Sequence, residues 1–221
     1  MSGEFSEQEV GIFRDDFTNG PNLDFWSLKR SEKGRILPVT WGGKSALQVD
    51  IHKGDRFAID NRGTGTERNE ISELNSVMLF EAVEASYNFS FGFPEGFVIN
   101  DNRLVIAQLK QKTEGKESPF LSLRYINGSL LFLIVNSEDR LKFKLPQQEW
   151  RDGWHRTSVR YKIDRGNGIV KAEIDGNPVV DYEGKLGIPR EEGKTYFKMG
   201  LYRDAAEYSQ TVYFSDFERS N

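Results

Sequence analysis

The 221 residues carry 30 Lys and Arg against 34 Asp and Glu, a formal charge of -4, with 37% hydrophobic and 13% aromatic residues. That content excludes a disordered chain, no apolar run approaches the roughly 18 residues that span a bilayer, and without a basic surplus any anionic ligand must find its cations locally. The absence of cysteine and the presence of only His52 and His155 exclude disulfides, thiolate chemistry and zinc centres built on Cys or several His.

Residues 1–10, "MSGEFSEQEV", are polar and predict a flexible segment with no apolar signal, which leaves location open. The fold is expected to begin at "GIFRDDF" and to run through 11–221 as one domain. Strand-length apolar or alternating stretches follow in order: "SALQVDIH", "ASYNFSFGF", "NRLVIAQLKQ", "FLSLRYI", "SLLFLIVN" and "RLKFKL". Turns such as "INGS" and "NSED" separate them. "HRTSVRYKI", "GIVKAEIDG", "NPVVDYEG", "YFKMGLYRD" and "TVYFSDFER" complete the set. Helical periodicity is confined to a turn near "SELNSVMLFEA". Many short strands with Gly-rich turns predict an all-β jelly roll, a concanavalin-like sandwich of two antiparallel sheets whose outer face can form a cleft.

The chemistry lies on three of these strands. In "YFKMGLYRD", Phe197, Met199 and Leu201 share one face, and Tyr196, Lys198, Gly200 and Tyr202 share the other. Packing the first set inward leaves two phenols and an ammonium on an open face, where Gly200 is expected to leave room for a ligand. In "VIAQLKQ", Gln108 and Lys110 share a face with Ile106, opposite Val105, Ala107 and Leu109. In "TERNEISEL", Arg68, Glu70 and Ser72 fall together. Cations, an amide and phenols suit β-elimination from a uronic-acid polysaccharide. The C6 carboxylate must be neutralised, the C5 proton removed and the departing O4 protonated. Arg can hold a carboxylate in a fork and Gln can donate to it. Tyr, with a pKa of about 10, can act as the acid, and beside Lys or Arg its phenolate forms more easily.

The trio "TERNEIS", "AQLKQ" and "YFKMGLY" resembles the Arg-x-Glu, Gln-x-His and Tyr-Phe-Lys-x-Gly-x-Tyr motifs of jelly-roll alginate lyases. The stretch "DGWHRTSVRYKIDRGNGIVKAEIDGNPVVDYEG", with "YFKMGLYRD" and "TVYFSDFE", is similar to the wider polysaccharide lyase group that includes heparin lyase I and fungal glucuronan lyase. The resemblance spans about residues 11–219. It implies Arg68 and Gln108 as the carboxylate-binding pair, Lys198 as a substrate-binding lysine, Tyr202 as the catalytic tyrosine and Glu70 as the acid that holds Arg68. Lys110 stands where the alginate lyases place histidine. It is expected to help neutralise the carboxylate or to favour a phenolate, leaving Tyr202 as the acid, with the same residue or another as the base. That departure moves the expected substrate to glucuronan first, then alginate or a glycosaminoglycan.

Two histidines and two acids complete the reading. His155 is expected to pack or hydrogen-bond within its strand. His52, ending "SALQVDIH", is a candidate substrate-binding residue where its strand flanks Arg68, the other reading being an exposed strand-end histidine. "FRDDFTNG" and "YFSDFERS" resemble the terminal strands of carbohydrate-active jelly rolls that hold a structural calcium, to which Asp16 and Asp216 would contribute, unless they are ordinary turn and edge acids. No catalytic cofactor is expected. The expected partner is an anionic polysaccharide, bound by a monomer, with no nucleic acid or membrane involved, and that substrate class favours a secreted or periplasmic location.

The alternatives are a laminarinase-like hydrolase and a noncatalytic carbohydrate-binding module. Retaining hydrolysis needs carboxyls about 5–5.5 Å apart, whereas Glu70 and Glu73 fall on opposite faces and Glu67 and Glu73 lie about 20 Å apart along an extended strand. A binding module would draw on Trp26, Trp41, Trp150 and Trp154 as platforms, but leaves the Arg, Gln, Lys and Tyr set unexplained.

Overall fold

The computed structural model describes residues 11–56, 65–97, 103–112, 119–136, 139–145, 153–164, 166–187 and 193–221; the segment 1–10 and Trp150 lie outside them. The described residues form strands β1 (Ile12–Asp15), β2 (Trp26–Lys29), β3 (Ile36–Trp41), β4 (Lys44–Ile51), β5 (Thr66–Glu73), β6 (Leu79–Phe80), β7 (Ala85–Phe93) and β8 (Leu104–Lys112). Then come β9 (Pro119–Ile126), β10 (Ser129–Val135), β11 (Arg140–Lys144), β12 (Gly153–Lys162), β13 (Gly168–Ile174), β14 (Asn177–Gly184), β15 (Lys194–Asp204) and β16 (Gln210–Ser220). The helical turn expected after β5 is a single 3-10 turn, Asn75–Val77.

Two antiparallel sheets share these strands. The first runs β14-β13-β12-β7-β16-β4-β3, with β1 also on β16; the second runs β11-β10-β9-β8-β15-β5-β2, with β6 also on β15. The sandwich is the expected jelly roll. Two hairpins follow directly from their turn residues. Asn127-Gly128 and Asp175-Gly176 both take positive φ (50° and 71°, 53° and 75°), the two-residue turn whose twist suits flanking strands.

Alternation then sorts side chains between core and surface. Phe197, Met199 and Leu201 of β15 are buried in the core cluster with Tyr87, Phe89 and Phe91 of β7 and Val212, Phe214 and Phe217 of β16. The Phe197 ring lies 5.0 Å from Tyr87, 5.4 Å from Phe89 and 5.7 Å from Phe217, so β15 is pinned from the facing sheet. Each such large apolar side chain contributes about 1.5–3 kcal/mol on burial. The opposite face of β15 is thereby fixed outward.

Candidate active site

β15 lies between β5 and β8, and the register brings together residues far apart in the chain. Arg68 is opposite Tyr202 and Glu70 opposite Gly200 on one side. Gln108 is opposite Lys198 and Lys110 opposite Tyr196 on the other. On this face opens a recess of about 220 Å³, lined among others by Arg68, Gln108, Lys110 and Tyr202. Glu70, Lys198 and Tyr196 share the face but are buried, at 1%, 3% and 4% exposure. They support the recess rather than line it.

Glu70 organises that support. One carboxylate oxygen accepts a hydrogen bond from the Gln108 amide nitrogen at 2.5 Å. The other lies 3.2 Å from Arg68 Nε and 3.7 Å from Lys198 Nζ. Gln108 therefore spends one amide hydrogen on Glu70 and keeps a second for a ligand. Burial pulls the Lys198 ammonium down to about 8; Glu70 opposes the shift, while Lys110, Arg68 and Lys29 add to it. Glu70 thus holds three groups at once, a wider role than the Arg68 anchor implied by its motif.

Tyr202 is gripped by its ring. The Arg68 guanidinium carbon lies 4.3 Å from the ring centroid and that of Arg103 4.8 Å, within cation–π range. Arg103 is itself tied to Asp204 at 2.8 Å. Tyr196 sits between two ammonium groups, Lys110 and Lys198, each 5.9 Å from its ring. The two phenols expected on one face are both there, one lining the recess and one buried beside it.

Two local expectations are corrected. A β-bulge between Val105 and Ala107 breaks the alternation of β8, so Val105 lines the recess while Ile106 joins the core, the reverse of the period-two reading. Gly200 does not clear space for a ligand. Its φ is +141°, and a Cβ there would lie 2.4 Å from the Asn69 carbonyl oxygen and 2.6 Å from Glu70 Cα. The missing side chain lets β5 approach beside an irregularity in the β15–β8 ladder between Met199 and Tyr202.

Three charged recess residues escaped the sequence reading: Arg103, Arg124 and Arg140. Arg103 precedes β8, Arg140 opens β11, and Arg124 is the lone charge in "FLSLRYI"; none belongs to a motif. The outward alternation of Ser122 and Arg124 against inward Leu121 and Leu123 was the available signal.

His52 follows β4 in the other sheet and is half-buried. Its backbone N–H donates to Asp55, whose carbonyl accepts the Arg68 N–H, so its loop abuts Arg68, yet His52 is not among the residues lining the recess. His155 is buried, with Nδ1 2.8 Å from Asp175 and its ring 5.4 Å from Phe91, on β12 of the other sheet. Asp16 and Asp216 share a different recess, of about 530 Å³, on that sheet. Asp216 pairs with Lys44 at 2.7 Å and accepts from Ser90 at 3.0 Å, and these partners hold its carboxyl below the usual range against the opposing effect of burial. Among the described residues no group of three or more His, Cys, Asp or Glu could hold a metal. Calcium takes six to eight oxygens, which Asp16 and Asp216 would share with backbone carbonyls, and Asp216 already spends one oxygen on Lys44 and Ser90.

The competing chemistries find little support. Glu73 points into the sandwich, accepting from the Phe197 N–H at 2.8 Å, Tyr87 at 3.2 Å and Arg219 at 3.1 Å, opposite in face to Glu70. Trp26 is 1% exposed. Trp41 stacks on Tyr213 at 4.4 Å and meets Trp154 edge-on at 4.8 Å, so these rings spend their surfaces on one another.

Comparison with known proteins gives a consistent picture. A family model described as polysaccharide lyase matches residues 16–218. No curated protein matches the sequence. Among solved structures, family 7 alginate lyase A1-II′ in complex with substrate superposes with a TM-score of 0.66 at 12% identity, over 89% of this chain and 92% of that one. A variant of alginate lyase Aly36B in complex with an alginate trisaccharide gives 0.67 at 10% identity, covering 94% and 97%. Alginate lyase PA1167 from Pseudomonas aeruginosa gives 0.64 at 14% identity, covering 89% and 98%. At these identities the likeness is one of fold.

Proposed function

We propose, on the premise that the chain belongs to the polysaccharide lyase family, that it cleaves a uronate-containing polysaccharide by β-elimination in the recess at Tyr202. The observation that carries this reading is the grouping of Arg68 and Gln108, both held by Glu70, beside a phenol gripped through its ring. Arg68 and the second amide hydrogen of Gln108 receive the C6 carboxylate, which lets charge build there as the C5 proton leaves. Lys110 adds positive charge from the same wall.

Tyr202 serves both ends of the reaction. Its phenolate oxygen takes the C5 proton, the electron pair forms the C4–C5 double bond, the C4–O4 bond breaks, and O4 takes the proton back from the phenol. In glucuronate and mannuronate the C5 hydrogen and O4 project from the same face of the ring, so one phenol reaches both. Guluronate, the C5 epimer of mannuronate, presents them on opposite faces. Among the described residues no histidine lines the recess, which favours glucuronan first, then mannuronate-rich alginate and glucuronate-bearing glycosaminoglycans.

The test follows the ultraviolet absorbance of the conjugated unsaturated uronate on glucuronan, alginate, hyaluronan, heparin and chondroitin. Absorbance is expected to rise fastest on glucuronan and to fall by about 10²–10⁴ in rate for Tyr202→Phe. New reducing ends without absorbance would overturn elimination in favour of hydrolysis, and binding with neither signal would leave a noncatalytic module.

A further inference from the structure

Among the described residues, buried arginines are matched to carboxylates, with one exception. Arg203, 1% exposed, meets Glu67 at 2.7 Å, Gln210 at 3.0 Å and the Tyr208 carbonyl at 2.7 Å. Arg219, 9% exposed, meets Glu73 at 3.1 Å and the Val77 carbonyl at 2.6 Å. Among the described residues Arg124, at 8%, donates only to the Ser122 hydroxyl, from its Nε at 2.8 Å. Among the described residues it meets no carboxylate within ion-pair distance. Burial, joined by the like charges of Arg103 and Arg140, pulls it down to about 10, and only the Tyr202 phenol opposes the shift. A desolvated cation without a counter-ion is costly, and an apolar residue in its place would be cheaper for the fold.

Its position says what the cost serves. Arg124 lies on β9, opposite Val105 of β8 and Leu131 of β10, well inside the sheet, and it opens into the recess that Tyr202 and Arg68 line. Arg103 and Arg140 line the same recess. Arg68 and Gln108 suffice for one carboxylate, so a second guanidinium cluster two strands from β15 is surplus to a single sugar.

We propose that Arg124, flanked by Arg103 and Arg140, is a second anion subsite that takes the carboxylate of the uronate adjoining the one cleaved. The substrate is then a polymer with anionic groups on consecutive sugars. The subsite rests on the reading of the recess as the substrate cleft, and it makes Arg124 a specificity-determining residue rather than a catalytic one.

The experiment measures oligosaccharide binding by calorimetry in the Tyr202→Phe background, so that nothing is turned over. Adding Arg124→Met is expected to weaken a glucuronan oligosaccharide at least about tenfold, the worth of one charge-assisted contact. A hyaluronan oligosaccharide of equal length, whose neighbouring sugar is neutral, should change by less than about twofold. Arg124→Lys restores part of the loss, since charge remains and the fork does not. The melting temperature of Arg124→Met should equal or exceed that of its parent, because the partner abandoned among the described residues is the neutral Ser122 hydroxyl, and removing a buried charge without a counter-ion offsets it. A lower melting temperature, equal weakening of both ligands, no weakening of either, or no binding of glucuronan in the parent would each overturn the subsite. A heparin oligosaccharide that depends on Arg124 while glucuronan does not would reassign the site to sulfate and overturn the uronate assignment. The two proposals fail separately. Arg124-dependent glucuronan binding by an enzyme that never generates the absorbance keeps the subsite and removes elimination, whereas active wild type with Arg124-independent binding does the reverse.

Discussion

Glu70→Gln probes how the recess is held. The variant keeps a carbonyl for the Gln108 amide but removes the charge facing Arg68 at 3.2 Å and Lys198 at 3.7 Å. Breaking a buried ion pair that cannot discharge costs about 3–5 kcal/mol. Lys198 can discharge. Burial has already brought it to about 8, so giving up its proton at pH 7 costs only about 1 kcal/mol. Arg68 keeps its charge, but its side chain is 17% exposed, and its lost partner adds about 1 kcal/mol more. Urea unfolding at pH 7 should therefore show a loss of about 2 kcal/mol. The folded-state value of Lys198 lies below its usual 10.5, so the cost of burying the ammonium is present at low pH and relieved as pH rises past 8. At pH 9 the lysine is mostly neutral with or without Glu70, and only about 1 kcal/mol should remain. Activity should fall further, about 100-fold in kcat/KM or ~3 kcal/mol, because Arg68 and Gln108 lose a common anchor. A stability loss at pH 9 equal to that at pH 7 would refute the proton-release argument, and a rate within about threefold of wild type would refute the anchoring role.

Gly200→Ala forces a Cβ to within 2.4 Å of the Asn69 carbonyl at a φ that L residues avoid, and thermal unfolding should show a loss above about 3 kcal/mol. Glu73 is raised to about 7 by burial, against the pull of Arg219, so the folded state keeps a proton that the unfolded chain releases. Stability should then fall by about 3 kcal/mol as pH rises from 4.5 to 7, a slope that Glu73→Gln flattens in denaturant titrations at each pH. Lys110→Ala should lower kcat/KM about tenfold with an unchanged midpoint of unfolding; undiminished turnover would remove its role. The Michaelis constant should rise with ionic strength, since cations lining an open recess are screened, and indifference to salt would count against this face.

The sequence exposed what obeys a period and hid what depends on neighbours. Phe197, Met199 and Leu201 opposite Tyr196, Lys198 and Tyr202 follow from two-residue alternation, and the same rule on β5 separates Arg68 and Glu70 from Glu73. The fold class followed from strand spacing and from turns such as Asn127-Gly128. What failed was local. The bulge that turns Val105 outward and Ile106 inward arises from pairing with β9, which no count along β8 reveals. Gly200 read as open space because its constraint comes from the Asn69 backbone across the ladder. Alternation along "FLSLRYI" marks Arg124 as outward-facing, but only the fold shows that no acid among the described residues accompanies this buried guanidinium.

The grip on Tyr202 has a use in physical organic chemistry. Two guanidinium groups lie over the ring, and a hold of that kind weakens as substituents draw electron density out of the π-system. Fluorinated tyrosines incorporated at position 202 would therefore step the phenol pKa downward and loosen this grip in the same series. A plot of log kcat against phenol pKa would report the proton's progress at the transition state where it is straight, and the loss of the grip where it bends.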